Sequence, residues 1–118
     1  MFTGYELTNS SRDTLLKLYP PKHEKVICHH ITESYNVPKD APVPAMPSNV
    51  KIVGYIDEDG VEGFLVSVNG STTRPDNKKY HITHSIALNR KPVDTNNYTG
   101  QAKTIDPIDI NVTPKNFW

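Results

Sequence analysis

A single cysteine, Cys28, in 118 residues rules out an internal disulfide and is compatible with a reducing compartment. No run of residues approaches the length of a membrane-crossing helix, and Met1-Phe2-Thr3-Gly4-Tyr5 has no basic segment leading into an apolar one. The expectation is a soluble, unprocessed protein with no membrane partner, cytoplasmic in location, or in the host cytoplasm if viral. Charge of one sign is also missing: 13 Lys and Arg balance 13 Asp and Glu. That removes the broad basic field a long nucleic-acid duplex requires, so a nucleotide ligand is expected to be small or gripped at one end. No phosphate-binding glycine loop occurs, which leaves ATP-type chemistry unsupported. The length suits one domain over residues 1–118, able to bury a core without disulfides or metals.

What the chain does have is a repeated tripeptide, His30-Ile31-Thr32 and His81-Ile82-Thr83, each inside an apolar run of strand character. Successive strand side chains point to opposite faces, so each triplet sets an imidazole and a hydroxyl on one surface. Two facing copies would form a four-residue polar cluster. Two histidines suit phosphodiester chemistry, because one takes a proton from the attacking oxygen while the other protonates the leaving oxygen near neutral pH. The hydroxyls would hold non-bridging phosphate oxygens. With five histidines, roughly one such spacing is expected by chance, so the strand context and the shared isoleucine carry the signal. The second copy also lies in a basic stretch: residues 74 to 91 hold five cations against Asp76 alone, a net +4. Taken alone, a charge run of this kind also reads as a solvated loop.

Phe2 to Leu7 reads as an opening strand, and a helix runs to Leu18 with Ser10 or Ser11 as its cap, ended by Pro20-Pro21. Leu15, Leu18 and Tyr19 share its inner face. Lys25 to Tyr35 alternates as one strand, with Val26, Cys28, His30 and Thr32 on one side. Residues 36 to 49 carry four prolines and form an extended loop or lid. Val50 to Ile56 and Val61 to Val68 flank a turn at Asp57-Glu58-Asp59-Gly60 and form a hairpin. Tyr80 to Leu88 is a further strand with His81, Thr83 and Ser85 on one face, and Ile105 to Val112 a last one interrupted by Pro107. The resulting order, β-α-β-β-β-β-β, predicts an α+β fold with a mostly antiparallel sheet and one clear helix, on the sheet face away from the histidines.

Other chemistry uses some of the same residues. Strand parity sends His29 and His84 away from their neighbours, leaving Cys28, His30 and His81 as the largest set able to share a metal, without the paired spacings of structural zinc. Cys28 is near enough to act as a nucleophile, and as a buried thiol it equally reads as a small core residue. Each histidine also has a plain structural reading as a satisfied strand residue.

The motif pair resembles the two-histidine (2H) phosphoesterase superfamily, defined by two His-x-[Thr/Ser] motifs on facing strands. The likeness extends to Thr3-Gly4-Tyr5-Glu6-Leu7, the helix Ser11 to Leu18, the connection Pro20-Pro21-Lys22-His23-Glu24-Lys25-Val26-Ile27, Val53-Gly54-Tyr55 and Arg74-Pro75. These are similar to the small Swiss Army Knife RNA repair-like group, over roughly residues 3 to 97. The resemblance implies a bilobal fold with concave sheets, one motif per lobe, and metal-independent phosphodiester cleavage without a cofactor. It implies His30 and His81 as the acid/base pair and Thr32 and Thr83 as phosphate ligands. Larger members carry a second helix before the second motif, where Asn69 to Lys79 here reads as a loop, implying a more open groove. Related enzymes include phage anti-CBASS enzymes, which destroy cyclic oligonucleotide immune signals, and RNA-end 2′,3′-cyclic phosphodiesterases of RNA repair. The neutral charge and compact length favour a small nucleotide over a long RNA, which leans the reading to a cyclic nucleotide or oligonucleotide, with the RNA-end enzyme and an inactive nucleotide-binding module as the alternatives. Tyr5, Tyr35, Tyr98 and Trp118 are the candidates to stack on a base.

Overall fold

The computed structural model describes residues 1–118 as an α+β protein of two antiparallel sheets and one α-helix. The strands are β1 (Phe2–Leu7), β2 (Lys25–Val26), β3 (His30–Tyr35), β4 (Val50–Glu58), β5 (Val61–Val68), β6 (His81–Ile86), β7 (Lys103–Asp109) and β8 (Val112–Phe117), with α1 spanning Asn9–Leu18. A three-stranded sheet has the order β3-β1-β8 and a five-stranded sheet the order β2-β6-β5-β4-β7. No helix is long and apolar enough to cross a membrane.

Thr8, rather than Ser10 or Ser11, caps α1, its hydroxyl accepting from the Ser11 amide at 3.2 Å. Ser11 is buried and accepts instead from the Asn111 amide at 2.7 Å. Leu15 is fully buried, whereas Leu18 is 56% exposed, so the inner face of the helix is narrower than its sequence pattern suggested. Tyr19, just past the helix, stacks on Tyr55 and meets the edge of Phe64. Its carbonyl accepts from His84 Nε2 at 2.7 Å. Asp59 and Gly60 both have positive φ, the geometry of a two-residue hairpin turn, which joins β4 to β5 tightly.

The expected single strand from Lys25 to Tyr35 is two strands in different sheets. Cys28 takes φ +42, which breaks the extended run. Before that kink the chain pairs with β6, and its hydrogen bonds run on through the Ile27 amide to the His84 carbonyl and the Cys28 amide to the Thr83 carbonyl, each 2.9 Å. After it, β3 pairs with β1 from His30 onward. Arg12 of α1 donates to the Cys28 carbonyl at 3.0 Å and holds the corner. The C-terminal region likewise exceeds the expected single strand: β7 lines the edge of the larger sheet and β8 crosses to the smaller one. The core gathers Leu15, Cys28, Ile31, Ile52, Phe64 and Ile82, all with no measurable exposure. Residues 36 to 49 carry no helix or strand.

Candidate active site

The corner at Cys28 brings the two motifs together. Because the Cys28 amide is bonded to the Thr83 carbonyl, His30 begins two residues from the backbone of the second motif. His30, Thr32, His81 and Thr83 line one cleft, completed by Ile27, Tyr35 and Pro92. No residue of the proline-rich segment lines it.

Each imidazole is oriented through Nδ1. His81 Nδ1 lies 2.8 Å from the Lys79 carbonyl, and because a carbonyl only accepts, that nitrogen carries the proton and Nε2 is left for the cleft. His30 Nδ1 lies 3.1 Å from Nδ1 of His29, and the His30 ring is packed by Phe2 and Phe117, each with its centroid 5.2 Å away. Burial pushes His30 down to about 4, with His29 and His81 adding repulsion and Glu6 opposing. Burial also lowers His81; the Lys79 carbonyl pulls the other way, and the Arg74 and Lys78 charges add to the lowering. Both imidazoles are therefore neutral in the free protein at neutral pH.

The hydroxyls differ. Thr83 donates to the Pro92 carbonyl at 3.1 Å and shares a 2.8 Å bond with Thr95 Oγ1. With its single proton on Pro92, Thr83 accepts from Thr95. Thr32 is 4% exposed, and its hydroxyl has no hydrogen-bond partner within the protein. Gly4 lies opposite Thr32 across the β1–β3 ladder. A Cβ there would stand 2.2 Å from the Ile31 carbonyl oxygen, so only glycine lets β3 approach this closely.

Two β-bulges decide the remaining side chains. In β3 the register runs from Thr32 opposite Gly4 to Ser34 opposite Thr3, which leaves Glu33 as the extra residue. Glu33 accepts from Thr3 Oγ1 and Tyr5 OH. The shift turns Tyr35, opposite Phe2, onto the His30 and Thr32 face, where simple alternation would have put Ser34. In β6 the extra residue is His84, because Thr83 pairs with Gly63 and Ser85 with Glu62. Ser85 consequently leaves the His81 and Thr83 face and donates to buried Glu62 at 2.6 Å, which corrects its expected position. Tyr55 OH donates to the other Glu62 oxygen at 2.5 Å.

Of the stacking candidates, Tyr5 is corrected: it is 4% exposed and belongs to the core, so its faces are closed to a base. Trp118 is 73% exposed at the end of the chain and lies outside the cleft lining. Tyr98 bonds Arg90 and Asp59 through its hydroxyl. Only Tyr35 lines the cleft, with the Arg74 guanidinium 5.1 Å and the Lys78 ammonium 5.9 Å from its ring centroid. Arg74 is itself buried and clamped to Asp76 by Nε and Nη2. Cys28 packs in the core, where burial pushes its thiol up to about 11, so it is not a thiolate nucleophile at neutral pH. No three His, Cys, Asp or Glu side chains are grouped to hold a metal ion. Comparison with protein-family models, with curated proteins and with solved structures finds no match to this chain.

Proposed function

We propose that this protein is a metal-independent phosphodiesterase with a bilobal 2H phosphoesterase-like fold. In this reading each sheet supplies one His-x-Thr motif, and the substrate is a small cyclic nucleotide or oligonucleotide signal of the kind used in immune signalling. The observation that carries the reading is the convergence of His30, Thr32, His81 and Thr83 on one cleft. Tyr35 offers an aromatic face beside that cleft, with the Lys78 ammonium and the Asp76-paired Arg74 guanidinium near its ring, which suits a short, anionic, base-bearing ligand.

The chemistry follows from the two imidazoles. His30, the group held neutral to about pH 4, removes the proton from a ribose 2′-hydroxyl through Nε2. The alkoxide attacks the adjacent phosphorus, and protonated His81 gives its Nε2 proton to the departing 5′ oxygen. Burial disfavours that protonated form, and the Lys79 carbonyl partly offsets it. Thr32 donates to one non-bridging oxygen; Thr83 swings its proton from Pro92 to the other while still accepting from Thr95. Water opens the resulting 2′,3′-cyclic phosphate with the roles reversed.

The test is cleavage in EDTA of a panel of 2′,3′-cyclic mononucleotides, cyclic dinucleotides and trinucleotides, and short RNAs. EDTA-resistant cleavage of a cyclic oligonucleotide is expected. Loss of at least about 100-fold in kcat is expected for His30→Ala and His81→Ala with circular dichroism unchanged. Full activity in either variant would exclude the mechanism, and cleavage of RNA ends alone would move the substrate to RNA repair.

A further inference from the structure

The two motif histidines are not oriented by equivalent partners. His81 leans on a backbone carbonyl, which has no protonation state of its own. His30 leans on His29, a second imidazole, and His29 continues the chain: its Nε2 lies 3.0 Å from Glu6 Oε2. Glu6 is also 3.4 Å from the Lys115 ammonium. Three strands therefore meet along one line of groups. Glu6 comes from β1, Lys115 from β8, and the two histidines stand at the start of β3.

The proton positions follow from what each atom can do. A carboxylate only accepts, so His29 Nε2 carries a hydrogen. In neutral His29 the Nδ1 atom is then a lone pair, and the 3.1 Å contact between the two Nδ1 atoms requires that His30 Nδ1 be the donor. His30 consequently faces the cleft with a basic Nε2. Burial of the two rings differs in the same sense. The His29 side chain is 48% exposed, whereas His30 is wedged between Phe2 and Phe117, where a positive charge is poorly solvated.

We propose, on the phosphodiesterase reading above, that Glu6 and His29 are positioning residues that fix the His30 tautomer and carry its proton charge outward to the surface. When His30 Nε2 takes the substrate hydroxyl proton, His30 Nδ1 passes its own proton to His29 Nδ1. His30 is neutral again, and the new cation is His29, paired with Glu6 and open to water. In the hydrolytic half-reaction His30 Nε2 gives a proton to the leaving 2′ oxygen, and Nδ1 recovers one from His29. Every proton is accounted for, and neither half-reaction leaves the buried ring charged. The titratable groups facing the pair are Glu6, Lys115 and His81. His29 repels a proton on His30 and Glu6 attracts one.

Nitrogen-15 histidine NMR on the intact protein reads this without any substrate. The wild type at pH 7 is expected to hold His30 with its hydrogen on Nδ1. His29→Ala is expected to move His30 toward the Nε2–H form and raise its titration midpoint, while Glu6→Gln lowers that midpoint. Opposite midpoint shifts follow from the neighbouring charges alone, so the His30 tautomer is the readout that a merely structural role would not move. On substrate, His29→Gln, which keeps an acceptor for His30 but cannot relay, is expected to lower kcat about 10- to 100-fold with KM nearly unchanged. A wild-type His30 protonated on Nε2, equal shifts in the two variants, or full kcat in His29→Gln would overturn the assignment. A protein that shows the expected tautomer and midpoints yet cleaves nothing in the panel supports the tautomer assignment and removes the phosphodiesterase reading.

Discussion

At the scale of single residues, burial lowers both imidazoles of the cleft, His30 to about 4, and on the proposed phosphodiesterase function this sets the pH dependence. His30 is a base as soon as it is neutral, above about pH 4. His81 is lowered from its usual value, so the fraction able to act as an acid falls before neutrality. The expected kcat/KM profile is a bell whose acid limb lies near pH 4 and whose alkaline limb lies below 6.5, measured under single-turnover conditions. An optimum above pH 7 would contradict the assignment. The hydroxyls are expected to separate as well. Thr32 has no competing partner, so on the proposed function Thr32→Val removes only a phosphate contact and is expected to raise KM about tenfold. Thr83→Val also strands the Thr95 hydroxyl, which is fully buried. Its thermal midpoint is therefore expected to fall in addition, with a cost of about 1–3 kcal/mol.

At the scale of elements, alternation along a strand was enough to pair His30 with Thr32 and His81 with Thr83, because neither triplet contains a bulge. It failed one or two residues further on. The extra residues Glu33 and His84 turned Tyr35 into the cleft and Ser85 out of it. Neither bulge has a local sequence mark such as glycine, since each depends on what the neighbouring strand offers. Glu33 finds Thr3 and Tyr5, and His84 finds the Tyr19 carbonyl. Gly4 is the element-scale test. Gly4→Ala sets a methyl against the Ile31 carbonyl and must push β3 away from β1. The urea midpoint is expected to drop by about 1–3 kcal/mol equivalent, with kcat falling as the His30 strand is displaced. Unchanged stability would mean that β3 does not approach so closely.

At the scale of the whole molecule, the cleft sits on the seam where the chain leaves one sheet and enters the other, so stability and site share the same groups. Folded His30 stays neutral down to about pH 4, whereas an unfolded histidine takes its proton near 6.5. The unfolded state therefore binds more protons as pH falls through that window, and stability falls with it. Lowered His81 acts in the same direction. Chemical denaturation between pH 7 and 4 is expected to show this loss in the wild type and a smaller one in His30→Asn. Equal slopes would show that His30 is not buried in its neutral form.

The amino-acid sequence by itself determined the α+β class, the β4–β5 hairpin and the candidate acid/base pair, because these rest on local rules: turn residues, helix caps and two-residue alternation. Its zero net charge and repeated triplet also set the terms of the functional reading. Only the tertiary structure decided that Lys25 to Tyr35 is two strands, that β8 completes the smaller sheet, that Tyr5 is core and Tyr35 lines the cleft, and that His29 backs His30. The reason is common to all of them. A left-handed Cys28, two bulges and a chain of imidazoles bound to Glu6 are stabilised by partners distant in sequence, which no local pattern along the chain records.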